Sequence, residues 1–116
     1  MRITLYGIKN CSTMKKAFDQ LTELGISYEF HDYKKQGIDK ATLSHWVEQV
    51  GIDKVINTKG TTYRQLSDEK KSQARADTQF AITLMTEQPS LIKRPILIKG
   101  DTILVGFNES EYQNLA

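Results

Sequence analysis

The opening 33 residues constrain the fold more than any other stretch of the chain. Ile3-Thr4-Leu5-Tyr6 reads as a short strand closed by Gly7. Met14, Ala17, Phe18, Leu21 and Leu24 then fall at i, i+3, i+4, i+7 and i+10, the single apolar stripe of a helix. Gly25 stands where a left-handed helix cap is wanted. Ser27 to Tyr33 alternates again and reads as a second strand. A strand, a helix and a strand in so short a span form a βαβ unit, which implies two parallel strands joined by a right-handed crossover.

Farther along, Asp39 is the expected N-cap of a helix whose stripe is Leu43, Trp46, Val47 and Val50, ended by Gly51. Asn57 to Thr62 reads as a polar loop around Gly60. Ser67 opens a third helix, with Asp68 and Glu69 complementing the helix dipole. Thr78 opens a fourth, with Phe80, Ala81, Leu84 and Met85 inward, interrupted at Gln88-Pro89-Ser90. Ile96 to Ile98, Lys99 to Thr102 and Ile103 to Val105 read as a tight hairpin, and Asn108 caps a last short helix through Tyr112 to Leu115. The order predicts an α/β fold: a four-stranded mixed sheet with helices on both faces and a helical insertion between strands 2 and 3. The thioredoxin fold has this skeleton. Residues 1–116 are expected to form a single domain, with a core over 1–34 and 90–116 and the insertion over about 38–88.

Length and composition bound the function. With 116 residues, 39% hydrophobic and 26% charged, the chain suits one folded domain rather than a disordered segment. A net charge of +2 is too small to argue for nucleic acid without a clustered basic patch. No apolar run approaches the roughly 20 residues of a membrane span. The alternating start from Met1 to Tyr6 does not read as a signal peptide, so a cytoplasmic monomer without membrane or nucleic-acid contacts is expected. Cys11 stands alone, which excludes an internal disulfide; with only His31 and His45 beside it a closed zinc site is excluded too. Neither a metal nor a bound organic cofactor is expected.

A lone cysteine is often a small buried hydrophobe. Cys11, however, falls between a strand and a helix start, where free backbone N–H groups can bond its sulfur. A free thiol is only about 3% thiolate at pH 7, and half ionisation there requires ~2 kcal/mol. A helix terminus typically provides ~0.3–1 kcal/mol, so hydrogen bonds or a cation must contribute, with Lys9 and Arg94 as candidates. A dithiol site would need its second cysteine at position 14, which is Met14. The chemistry open to Cys11 is therefore monothiol exchange resolved by an outside thiol, for which glutathione is the abundant choice. Lys93-Arg94-Pro95 precedes the third strand: a cis Pro95 would turn the Arg94 backbone toward a peptide-like ligand, with the guanidinium as an anion clamp. The alternative for Arg94 is a surface arginine beside a turn.

Tyr6-Gly7-Ile8-Lys9-Asn10-Cys11-Ser12-Thr13-Met14-Lys15-Lys16-Ala17 and Lys93-Arg94-Pro95-Ile96-Leu97 together resemble the glutaredoxin-coupled arsenate reductase family, in its YffB-type, Spx/MgsR-like branch. His31-Asp32-Tyr33, Asn57 to Tyr63, Leu84-Met85-Thr86 and Gly106 to Ser110 extend the resemblance along nearly the whole chain. It implies a thioredoxin-like core, Cys11 as the redox thiol, Arg94 as the active-site cation and Pro95 as a cis-proline. It further implies substrate contacts from Lys9, Asn10, Lys59, Tyr63 and Pro95, glutathione as co-substrate, and glutaredoxin or a glutathionylated protein as partner. Members that reduce arsenate surround the cysteine with three arginines, of which only Arg94 is matched; Asn57 and Gly106 stand at the other positions. Losing two such cations costs several kcal/mol of oxyanion binding at ~1.5–3 kcal/mol each, and Lys59 replaces a fork by a point charge. The activity implied is thiol reduction, with arsenate reduction itself and, from another class, an Spx-like regulator of RNA polymerase as the alternatives. Lys34-Lys35 is read as solvated, Trp46 as core, His45 as surface and His31 as structurally hydrogen-bonded; Tyr63 either packs its loop or offers its hydroxyl to a substrate.

Overall fold

The computed structural model describes residues 2–116. Met1, the head of the alternating start, lies outside them. The chain divides into two compact units, of which the first runs to Gln36 and resumes at Arg94, and the second spans Gly37–Lys93.

The first unit is built on four strands: β1 (Ile3–Gly7), β2 (Glu29–Asp32), β3 (Ile96–Lys99) and β4 (Thr102–Val105). Their order is β2-β1-β3-β4. β1 runs parallel to β2, pairing Leu5 with Phe30 and Tyr6 with His31. It runs antiparallel to β3, pairing Tyr6 with Ile96, and β3 turns through Gly100-Asp101 into antiparallel β4. This is the mixed, thioredoxin-like sheet expected from the sequence. The alternation in β1 sends Ile3 and Leu5 to one face. There they meet Met14, Ala17 and Leu21 of α1 (Ser12–Glu23), Leu97 of β3, and Tyr112 of the C-terminal helix (Glu109–Gln113). Each large side chain so buried is worth roughly 1.5–3 kcal/mol.

The ends of α1 follow from its sequence. Beyond its last residues Gly25 takes φ +70°, its N–H donates to the Thr22 carbonyl, and the Ile26 N–H reaches the Leu21 carbonyl. That pair of bonds is the Schellman arrangement, which a glycine at this position makes cheap. The second strand is shorter than expected. Asp32, buried, accepts a hydrogen bond from the Lys34 N–H at 2.9 Å and so opens a turn of helix, α2 (Tyr33–Gln36). Tyr33 therefore leaves the strand, because a short carboxylate offers the backbone a better partner than another rung of the sheet.

The second unit holds α3 (Lys40–Val50), α4 (Ile52–Val55), α5 (Thr61–Arg64), α6 (Asp68–Ala76) and α7 (Thr78–Glu87), with a 3-10 turn at Pro89–Leu91. Asp39 caps α3 through the Thr42 N–H, Ser67 caps α6 through the Lys70 N–H, and Asp77 caps α7. Trp46 and Leu43 are buried, and His45 is exposed, as the stripe predicts. The polar loop expected over Asn57 to Thr62 ends earlier, since Thr61 already belongs to α5. The final helix, Glu109–Gln113, is numbered α8; Asn108 caps it by accepting from the Glu111 N–H. Among the described residues no helix is long and apolar enough to cross a membrane.

Candidate active site

The carboxyl end of β1 and the amino end of β3 lie side by side, because Tyr6 pairs with Ile96. Cys11 follows the former and Arg94 precedes the latter, so the sheet itself brings thiol and guanidinium to one edge of the first unit. Between them the backbone is set by two local devices. Asn10 takes φ +62°, a left-handed conformation that asparagine tolerates better than most residues. It delivers Cys11 in extended geometry as the N-cap of α1, and the Lys15 N–H closes the first helical bond on the Cys11 carbonyl at 3.0 Å. At the other end of this loop Gly7 leaves the space that the Met14 thioether fills. A side chain on Gly7 would displace Met14, which is fully buried.

Cys11 is half-buried. Its removal from water raises the thiol's pKa, but the Met14 and Thr13 backbone N–H groups and the Arg94 guanidinium, acting as hydrogen-bond donor and as charge, pull it below the ordinary thiol value. Of the two candidate cations, the one acting on the sulfur is Arg94. Pro95 follows Arg94 through a cis peptide bond, and its carbonyl accepts the Gly106 N–H at 2.8 Å, tying the loop to the end of β4. Arg94 also faces the buried Tyr33, whose hydroxyl burial holds protonated far above the usual range while the guanidinium works against that rise. Tyr33 stacks with Tyr6 at 6.2 Å between ring centroids, and Tyr6 meets His31 at 4.7 Å.

Lys9 and Asn10 are exposed beside the thiol. The two remaining expected site residues belong to the second unit. Lys59 is exposed, with its N–H directed to Asn57 Oδ1 at 3.3 Å. Tyr63 is buried, and the Lys71 ammonium lies 5.7 Å from its ring centroid. The sequence alone does not single out the surroundings on the helix side of Cys11. A pocket of about 520 Å³ opens there, lined by Lys9, Cys11, Ser12, Lys15, Phe18 and Phe30 among others. A signal for it was present: Lys15 and Phe18, three residues apart on α1, share one helix face just after Cys11. Among the described residues no group of three or more His, Cys, Asp or Glu is arranged to hold a metal ion.

Comparison with known proteins agrees with this architecture. The YFFB protein structure shares 47% identity at a TM-score of 0.91, over 97% of this chain and 96% of its own. An arsenate reductase (ArsC) related protein from Brucella melitensis shares 44% identity at a TM-score of 0.77, covering 98% and 93%. At 26% identity over 111 residues, the global transcriptional regulator Spx of Streptococcus agalactiae matches 94% of this chain and 79% of its own length. The ArsC family matches residues 6–115, which include the thiol loop, the Arg94-Pro95 turn and the last helix, and the chain belongs to that family.

Proposed function

We propose that this arsenate-reductase-like protein is a glutathione-dependent monothiol reductase of the cytoplasm, with Cys11 as its nucleophile. The observation that carries the reading is a thiol held below its ordinary pKa by two helix-start amides and Arg94, with a buried methionine where a second thiol would have to stand. The Cys11 thiolate attacks the glutathione sulfur of a mixed disulfide; a Cys11–glutathione disulfide forms and the substrate leaves as its thiolate. A glutathione thiolate then attacks that disulfide, releasing oxidised glutathione and restoring the Cys11 thiolate. Electrons come from glutathione, two molecules of which end as one disulfide.

Arg94 stabilises the thiolate both as attacking group and as leaving group. Lys9, Asn10 and the backbone at Pro95 are assigned to holding glutathione; Lys59 and Tyr63 are assigned to substrate binding on the family resemblance alone. Glutaredoxin or a glutathionylated protein is the protein partner this reading assigns. The Spx relative favours a second reading, a redox-linked regulator that binds RNA polymerase. Glutathione-dependent reduction of a glutathionylated peptide separates the two. Wild type turns over, Cys11→Ser does not, and Arg94→Ala loses roughly ten- to a hundredfold, the worth of a charge-assisted hydrogen bond. Absence of turnover in a wild type whose thiol still alkylates readily overturns the reductase and leaves the regulator.

A further inference from the structure

The pocket beside Cys11 has a floor that thiol exchange as such does not require. Phe18 and Phe30, both half-buried, meet edge to face with centroids 5.1 Å apart, and Tyr28 stacks on Phe18 at 6.1 Å. Phe18 and Phe30 line a pocket of about 520 Å³ together with Cys11, Lys9 and Lys15, and no carboxylate is in its lining. Lys15 is engaged by Asp19 at 2.8 Å, while Lys9 is exposed at the mouth. Arg94, just before β3, bonds the sulfur and is absent from the pocket lining, so the sulfur has a polar turn and an apolar pocket beside it. A disulfide reaching this sulfur has two unlike halves to place, and the surroundings offer two unlike halves to receive them.

We infer that Cys11 acts on mixed disulfides between glutathione and a thiol bearing an aromatic or bulky apolar group, with that group seated on Phe18 and Phe30. The inference rests on the reductase reading and names its substrate class. In the exchange Cys11 keeps the glutathionyl group and the apolar thiolate leaves from the pocket, to be followed by reduction with a second glutathione. The exposed Lys9 matches a carboxylate of the tripeptide, and Phe18 and Phe30 match the ring of the leaving group.

The test compares two probes whose leaving groups are both alkyl thiols: glutathione disulfide-linked to benzyl mercaptan and to mercaptoethanol. The expected result is a kcat/KM about tenfold higher for the benzyl probe, a difference of about 1.4 kcal/mol. Phe30→Ala and Phe18→Leu should erase that preference while the mercaptoethanol probe is still reduced. Equal rates for the two probes overturn the inference and leave the reductase standing. Should neither probe turn over, the reductase reading falls, and the pocket is read instead with thioethers that cannot exchange. Amide shifts at Ser12, Phe18 and Phe30 with S-benzylglutathione but not S-methylglutathione then support the apolar seat, and identical or absent shifts overturn it.

Discussion

Arg94 acts on two groups of opposite tendency. Beside Cys11 it favours the thiolate, against the burial that raises the thiol's pKa; beside Tyr33 it offsets part of a rise caused first by burial. Replacing it by alanine is therefore expected to move the Cys11 inflection in a pH profile of iodoacetamide alkylation upward, toward that of a free thiol. Arg94→Lys should recover part of the shift, since a point charge remains but the planar fork does not. Because the folded-state pKa of Cys11 lies below its unfolded value, the thiolate contributes stability that is fully present above the unfolded pKa and is lost as pH falls through the folded one. Urea unfolding at several pH values checks the sign: wild type should gain on Cys11→Ser as pH rises toward the ordinary thiol value of about 9. Tyr112 presents the reverse case. Its hydroxyl is buried without a hydrogen-bond partner, so Tyr112→Phe removes an unsatisfied group and keeps the ring that meets Phe107 at 5.0 Å. Thermal unfolding should show Tyr112→Phe as stable as wild type, or more stable by up to about 1 kcal/mol.

At the scale of elements, α1 carries both the core and the site, and its stop is as much a part of the sequence as its stripe. Gly25→Ala places a Cβ at φ +70° and should destabilise the protein by about 1–2 kcal/mol in urea titration, although no neighbour stands in its way. Space is not what the glycine provides there; backbone conformation is. Elements of this kind were legible, because an eleven-residue apolar stripe ended by glycine, or a hairpin turning at Gly100-Asp101, states its own period and its own ends. The short helices α2, α4 and α5 were not. Four residues contain barely one turn and show no repeat, and α2 exists because the buried Asp32 takes up the Lys34 N–H. The site divides in the same way. Cys11 and Arg94 were legible from their places before a helix and before a strand. Phe18 and Phe30 were not, since an apolar residue on a helix stripe or in a strand reads as core until one face of it is seen to remain open.

For the molecule as a whole, the site-bearing unit is discontinuous: β1, α1 and β2 wait for β3, β4 and α8, which arrive only after the Gly37–Lys93 segment has been traversed. The second unit is continuous and ties its last residues back to the end of α4. Asn57 N–H donates to the Leu91 carbonyl at 2.7 Å, Lys93 N–H to the Val55 carbonyl at 2.8 Å, and Ile56 bridges Ile92. A chain ended after Lys93 should therefore affect the two units differently. The first loses the β3 partner of β1, the buried Leu97 and Tyr112, and the Arg94 charge on Cys11. Its thiol should titrate as an ordinary cysteine in the alkylation profile. Trp46, 2% exposed and the sole tryptophan, lies on α3 of the second unit and should stay shielded from acrylamide quenching. A Cys11 inflection that remains low in the shortened chain would place the cause in the start of α1 alone, with the Thr13 and Met14 amides sufficient. An inflection that rises, with Trp46 still shielded, makes reactivity a property of the completed sheet: the thiolate becomes available only when both ends of the chain have met.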